Sequence, residues 1–96
     1  MSLQNKITVI RFSRANCGPC RTLERLLEGI EDDLSEVEFL HFDAEENPEK
    51  AEEYEVRSVP STLIEFNGEV LRHLTGIVAR EKLLRMVAEV RRETGI

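Results

Sequence analysis

The chain has 96 residues, which is enough for one small domain. Hydrophobic residues make up 41% and charged residues 33%, a composition that excludes a disordered chain. The formal net charge of −6 would repel nucleic acid phosphates and anionic membrane surfaces. We therefore expect a single folded domain over residues 1–96, a monomer, with no nucleic acid or membrane partner.

The first six residues contain one basic side chain and no apolar stretch typical of a secretory signal. We expect residues 1–6 to be disordered or partly left over from cloning, and the protein to work in the cytoplasm. Permanent disulfides are uncommon in that reducing compartment. The role of the two cysteines, Cys17 and Cys20, is therefore the main question that the sequence poses.

The first half of the chain has the pattern of a βαβ unit. The β-branched run Ile7–Phe12 predicts a buried strand, and Val37–Phe42 predicts a second, parallel strand with a right-handed crossover. The helix between them is expected to begin at or just inside the cysteine motif and to run on as one element. Its apolar stripe comprises Leu23, Leu26, Leu27, Ile30 and Leu34.

The sequence of the second half of the chain predicts a short helix, a β-hairpin and a long helix. Asn47 suits a helix cap and Pro48 a first turn, with the helix continuing to about Tyr54. The pair Asn67-Gly68 predicts a tight turn between strands 62–66 and 69–74. The last helix is predicted over residues 80–93, with an apolar face made of Leu83, Leu84, Val87 and Val90. The order βαβαββα indicates the α/β class, with a four-stranded mixed sheet and helices on both faces.

The motif Cys17-Gly18-Pro19-Cys20 falls where the first strand gives way to a helix. Unpaired N–H groups and the positive end of the helix dipole at that position favour a thiolate. A thiolate attacks disulfides, and a second thiol one turn along can displace the mixed intermediate. We therefore predict that Cys17 is the nucleophile and Cys20 the resolving thiol, in a redox-active disulfide that needs no further cofactor.

Three other interpretations of the cysteines compete with a redox role. Zinc would need two more soft ligands, and the two histidines, His41 and His73, lack a zinc-finger spacing. A structural disulfide closing so short a loop would add little stability and would be reducible in the cytoplasm. Two inert thiols are less expected at a helix start. We therefore predict no metal site.

An ordered set of motifs resembles the thioredoxin family over nearly the whole chain. It comprises Phe12, Cys17-Gly18-Pro19-Cys20, Asp43 to Pro48, Val56 to Thr62, Phe66 to Val70 and Gly76. The resemblance implies a compact thioredoxin-like fold that lacks the family's first strand and helix. It further implies substrate contacts at Asn16, Gly18, Pro19, Val59, Pro60 and Gly76.

The resemblance also implies that Val59-Pro60 is a cis peptide bond facing the cysteines. The Val59 backbone would then pair with an extended substrate segment, and Gly76 would leave room beside it. The residues alone say only that cis is least unfavourable before proline, and an ordinary trans proline that ends a helix is the simpler interpretation.

Three positions depart from the family pattern. Asn16 stands where the family usually has tryptophan, Arg11 where it buries an aspartate, and His41 where a lysine commonly pairs with that aspartate. His41 could replace the proton relay, or it could be a hydrogen-bonded structural residue. Arg11 and Arg14 could stabilise the thiolate by charge, or could simply be solvated.

The leading functional prediction is a protein-disulfide reductase, because Gly-Pro between the cysteines resembles the reducing members of the family. Its electron donor would be a thioredoxin reductase or a glutathione-linked system. One alternative is a glutaredoxin-like, glutathione-dependent enzyme, which the short chain suggests but the Gly-Pro pair disfavours. The other is a redox-sensitive binding or adaptor domain with slow turnover, in keeping with Asn16 and Arg11.

Overall fold

The structure is a computed structural model that describes residues 5–96. Our expectation for residues 1–4 lies outside that range, and Asn5 and Lys6 lie exposed ahead of the first strand. Eight elements follow in order: β1 (Ile7–Ser13), α1 (Gly18–Leu26), α2 (Ile30–Asp33), β2 (Glu38–Asp43), α3 (Pro48–Glu53), β3 (Ser61–Phe66), β4 (Glu69–Thr75) and α4 (Arg80–Thr94). Apart from the division between α1 and α2, this is the predicted order.

The predicted single helix after the cysteines is wrong, because the structure divides it at Gly29. That glycine adopts a left-handed conformation with a φ of 77°, which interrupts the helical hydrogen bonds. The Arg80 guanidinium donates to the freed carbonyls of Leu26 and Glu28, at 3.3 and 2.9 Å. Leu26, assigned to the apolar stripe, is 43% exposed.

The four strands form one mixed sheet in the order β2-β1-β3-β4. Strand β1 pairs parallel with β2 and antiparallel with β3, and β3 pairs antiparallel with β4. The hairpin between β3 and β4 turns at Asn67 and Gly68, whose φ angles of 52° and 88° fit the predicted tight turn. Because β1 has a neighbour on each side, its carboxyl end is held in the middle of the sheet.

Side chains from β1 alternate between two core layers, as the two-residue period of a strand requires. Ile7 and Val9 enter the larger layer, where they meet apolar residues of α1, α2 and α4, including Leu23, Ile30, Leu83, Val87 and Val90. Ile10 and Phe12 enter the smaller layer on the other face, with Ala51 and Tyr54 from the α3 region. Phe12 stacks on Phe42 with ring centroids 5.3 Å apart. The two layers confirm the predicted placement of helices on both faces of the sheet.

The start of α3 differs in detail from the predicted cap. Asn47 occupies the cap position and Pro48 the first turn, as expected, but the Asn47 side chain makes no capping bond to the helix. Its amide donates instead to the Asp43 carbonyl at 3.0 Å. The Asp43 carboxylate accepts the N–H groups of Glu45 and Glu46, at 2.9 and 3.0 Å. Asp43 therefore organises the turn before α3, where Asn47 was expected to provide a side-chain cap.

Thr62 on β3 provides a test of the core. Thr62 is fully buried, and within residues 5–96 its hydroxyl has no hydrogen-bond partner. Because an unpaired buried hydroxyl carries a desolvation penalty, we expect Thr62→Val to raise the free energy of unfolding by about 1 kcal/mol. Thr8→Val is the matched control, since the Thr8 hydroxyl donates to Glu38 at 3.4 Å. Urea denaturation checks both, and a Thr62→Val protein less stable than wild type would contradict the prediction.

Candidate active site

The chain folds at the cysteine motif so that Cys17 caps the helix that contains Cys20. Cys17 has extended backbone angles at the N-cap of α1, and its sulfur accepts the Cys20 N–H at 3.2 Å. Pro19 lies in the first turn, where a missing N–H costs no helical bond. The two Cα atoms are 5.2 Å apart and the sulfurs form a disulfide. The expected pairing of the two sulfurs is therefore present.

The approach to the motif is a tight turn after β1. Asn16 adopts a left-handed conformation with a φ of 58°, which asparagine tolerates better than most side chains. Asn16, Gly18 and Pro19 are exposed, whereas Cys17 is 5% and Cys20 8% exposed. A reaction partner must therefore approach along the exposed residues that flank Cys17.

A second loop, leading into β3, contributes Pro60 to a cavity that Cys20 also lines. The Val59-Pro60 bond is cis, as the family resemblance implied. Pro60 is buried, and its carbonyl accepts the Gly76 N–H at 2.8 Å. A Cβ added at Gly76 would meet no atom within 4 Å, although its φ of 82° favours glycine. The space next to the Gly76 Cα is therefore open.

A groove of about 730 Å³ runs from Val59 towards α3. Its apolar surface includes Pro48, Ala51 and Val56, and Arg14 lines it from the end of β1. Charged side chains also line the groove, with Arg57 as a second cation and Glu45, Glu52 and Glu55 as anions. The groove thus offers both apolar and charged contacts beside Val59.

A smaller cavity of about 80 Å³ is lined by Cys20. The other side chains that bear on its chemistry are Arg11, Ser13, Glu24 and His41. The Ser13 hydroxyl and the Nε2 atom of His41 are 2.7 Å apart, a hydrogen-bonding distance. Arg14 and Pro60 also line this cavity. The structure thus places the candidate residues Arg11, Arg14 and His41 around one space with Cys20.

The environment of His41 favours its neutral form. Desolvation of the ring, and then the nearby positive charge of Arg11, lower the pKa of His41 below its ordinary value of 6.5, while Glu24 and Asp43 oppose the shift. The residue nevertheless remains exposed at the sheet edge. At pH 7 the imidazole is therefore mostly neutral and able to accept a proton.

Three residues at this end of the sheet were not predicted from the sequence. Ser13 lies two residues after Arg11 on the same face of β1, and Glu24 lies one helical turn after Cys20. Ile77 follows Gly76 and is 52% exposed, whereas the next residue, Val78, is 5% exposed. The two-residue and four-residue spacings could have identified Ser13 and Glu24, but no local pattern marks Ile77.

Among residues 5–96, no group of three or more potential ligands from His, Cys, Asp and Glu is arranged to hold a metal ion. None of the helices in the same range is long and apolar enough to cross a membrane.

Comparisons with known proteins agree with this geometry. The sequence model of the thioredoxin family matches residues 1–89. Thioredoxin H2 of Arabidopsis thaliana is 30% identical over 87 residues, which cover 91% of this chain and 65% of that protein. A thioredoxin of Chlamydia trachomatis is 27% identical over 88 residues, covering 92% of this chain and 86% of that protein.

Solved structures give the same result. A Nicotiana alata thioredoxin superposes with a TM-score of 0.82 at 25% identity, covering 88% of this chain and 73% of that one. A Fasciola hepatica thioredoxin superposes with a TM-score of 0.81 at 27% identity, covering 88% of this chain and 81% of that one.

A cysteine pair joined across the first turn of a helix, at the carboxyl end of a central strand, defines a thiol–disulfide oxidoreductase. The match of the thioredoxin family model to residues 1–89 identifies the fold and agrees with this class of enzyme. The chain belongs to the thioredoxin family, whose members reduce protein disulfides.

The lowered pKa of His41 is testable by NMR titration of its ring protons. We expect a midpoint below 6.5, and we expect Arg11→Met to raise it, because removal of a nearby cation favours the imidazolium. Arg25→Met, on the exposed side of α1, is the matched control. A midpoint at or above 6.5 in the wild type, or no upward shift in Arg11→Met, would contradict this account.

Proposed function

We propose that this chain reduces disulfide bonds in proteins, with Cys17 as the nucleophile and Cys20 as the resolving thiol. The observation that carries the proposal is the position of Cys17 at the cap of α1, with Cys20 bonded to it one turn later. The first turn of α1 contains no acidic side chain, so no carboxylate there opposes a thiolate.

In the proposed reaction, the Cys17 thiolate attacks one sulfur of the substrate disulfide. The substrate S–S bond breaks, and the departing sulfur leaves as a thiolate that takes a proton from water. Cys20 then loses its proton and attacks the Cys17 sulfur, which forms the Cys17–Cys20 bond and releases the second substrate sulfur. Two electrons pass from the dithiol to the substrate, and an external thiol donor restores the reduced form.

The proposed substrate surface surrounds Cys17. An extended segment of the substrate would pair with the Val59 backbone beside Pro60 and pass the open space at Gly76. Asn16, Gly18 and Pro19 would contact it from the cysteine side, since all three are exposed there. Asn16 stands in the place of the family's usual tryptophan and supplies no apolar contact. The exposed side chain of Ile77 would provide an apolar contact for the substrate instead.

Arg11 and Arg14 are proposed to favour the ionised cysteines by charge. Both line the cavity that Cys20 borders, and Arg14 also lines the groove beside Val59. A cation close to a thiol stabilises the thiolate.

The wider setting is part of the same proposal. We propose that residues 1–96 act as one monomeric domain in the cytoplasm, where a reducing pool keeps the dithiol available. The donor would be a thioredoxin reductase or a glutathione-linked system, and the cysteine pair would need no other cofactor. The net charge of −6 argues against nucleic acid and anionic membranes as partners.

Serine variants of the two cysteines test the assignment of roles. With dithiothreitol as donor and insulin as substrate, we expect Cys17→Ser to abolish turnover, because the nucleophilic sulfur is lost. Pre-reduced Cys20→Ser, mixed with insulin in the absence of dithiothreitol, should instead accumulate mixed disulfides at Cys17, detectable by intact-mass measurement, because the resolving sulfur is lost.

Separate assays with thioredoxin reductase and with glutathione identify the donor. Wild-type protein that stays oxidised with either donor, yet binds partners differently in its two redox states, would support an adaptor instead. Unchanged insulin reduction by both serine variants would refute the assignment of the cysteines.

A second prediction concerns the substrate surface at Ile77. We expect Ile77→Ser to raise KM for insulin about 5- to 30-fold, with little change in kcat, because the substrate loses an apolar contact worth about 1–2 kcal/mol. Val70→Ser is the matched control, since Val70 is 38% exposed and lies at the start of β4, beside the hairpin turn. A KM equal to that of the wild type would remove Ile77 from the proposed surface.

A further inference from the structure

The resolving step requires Cys20 to lose a proton in a poorly exposed place. Cys20 is 8% exposed, so bulk water has limited access to its sulfur. Burial also disfavours a thiolate, because charge is poorly solvated away from water. A proton acceptor near Cys20 would therefore speed the step.

The cavity beside Cys20 contains the components of a proton route. Its volume of about 80 Å³ exceeds the roughly 15 Å³ that a water molecule needs. Ser13 and His41 line the same cavity and lie 2.7 Å apart through Oγ and Nε2. A serine hydroxyl can accept one hydrogen bond while donating another, so it can pass a proton between two neighbours.

Strand register fixes this arrangement. Arg11 on β1 lies opposite His41 on β2 in the parallel pair, so His41 is on the same face of the sheet as Arg11 and Ser13. Cys20 and Glu24 approach that face from α1, one turn apart. The juxtaposition therefore depends on the sheet and α1 together.

We propose that His41 accepts the proton of Cys20 during the resolving step, and that Ser13 both relays this proton and holds the imidazole towards the cavity. The inference rests on the proposed function and concerns only its second step. Ser13 is a positioning and relay residue, and His41 is the proton acceptor.

The proposed step transfers one proton and then exchanges the mixed disulfide for the Cys17–Cys20 bond. The Cys20 S–H proton passes through cavity water to the Ser13 oxygen, as the Ser13 proton moves to Nε2 of His41. The resulting Cys20 thiolate attacks the Cys17 sulfur, the bond from Cys17 to the substrate sulfur breaks, and the substrate leaves as a thiolate. When a donor later reduces the disulfide, the proton returns along the same route to the departing Cys20 thiolate.

Charged groups around the cavity determine whether His41 is ready to accept a proton. Arg11, Arg14 and Arg21 line the cavity as cations, and Glu24 lines it as an anion. Asp43 acts on His41 from its own strand. Because desolvation and Arg11 lower the pKa of His41, the acceptor is mostly neutral at pH 7. Arg11 also favours the thiolate form of Cys20 that the transfer leaves behind.

The test isolates the second step with 5,5′-dithiobis(2-nitrobenzoate) at one equivalent of reduced protein. Attack by Cys17 releases one coloured thiolate, and resolution by Cys20 releases a second. This leaving group is already ionised, so the second phase reports the proton loss of Cys20 and not protonation of the product. The variants are His41→Gln, Ser13→Ala and Ser13→Thr, with His73→Gln on β4 as the matched histidine control.

We expect the second phase at pH 7 to slow about 10- to 100-fold in His41→Gln and in Ser13→Ala. Ser13→Thr should restore the rate, since it restores the hydroxyl, and His73→Gln should match the wild type. The differences should shrink as the pH rises, because hydroxide can then remove the Cys20 proton directly. The first phase is the internal reference for an intact Cys17 site.

A second phase in His41→Gln within twofold of the wild type at pH 7 would overturn the proposal. So would a slow Ser13→Ala beside a normal His41→Gln, because Ser13 would then act through structure alone. A wild type that never releases the second thiolate would contradict the proposed function itself, which keeps the two failures distinguishable.

Discussion

The junction between β1 and α1 is the constraint on which the active site depends. Strand β1 is paired on both sides, so its end is fixed, and the left-handed turn at Asn16 directs the chain straight into a helix. Cys17 then caps that helix and Cys20 follows one turn later. Strand β2 and the loop before β3 reach the same end of the sheet. Every group that the proposed reaction uses is thereby brought to one end of the sheet without a long flexible loop.

Elements that are determined by residues close together in the chain were predictable from the sequence. The Asn67-Gly68 turn depends on the positive φ angles of two neighbouring residues, and α4 depends on its own apolar period. The division at Gly29 was missed because the apolar spacing continues across it. What stabilises the break is Arg80, more than fifty residues away along the chain, which donates to carbonyls that an unbroken helix would have used. Periodicity alone does not contain such a tertiary contact.

The same distinction applies to the active site. The cysteine pairing follows from a spacing of three residues at a helix start, and is local. The contact between Ser13 and His41 depends on the register of two parallel strands separated by a helical crossover. A slip of one residue would turn His41 to the opposite face of the sheet. Sequence reasoning could therefore nominate His41 from its position in the family pattern, and the strand period could place Ser13 on the face of Arg11, but neither could show that Ser13 and His41 lie within hydrogen-bonding distance.

Arg11 and His41, two of the departures from the family pattern, have complementary roles in the proposed proton transfer. In the proposed reaction, a carboxylate at position 11 would hold negative charge near a cysteine that must itself become negative, whereas Arg11 would favour that thiolate. Arg11 in turn disfavours a positive imidazole, so a proton accepted by His41 would not remain there for long. His41 lies on the edge strand β2 and is exposed, which gives that proton a direct route to water. In the proposed step, a neutral acceptor at the sheet edge, next to a fixed cation, would take the proton of Cys20 without itself adding a negative charge beside the forming thiolate.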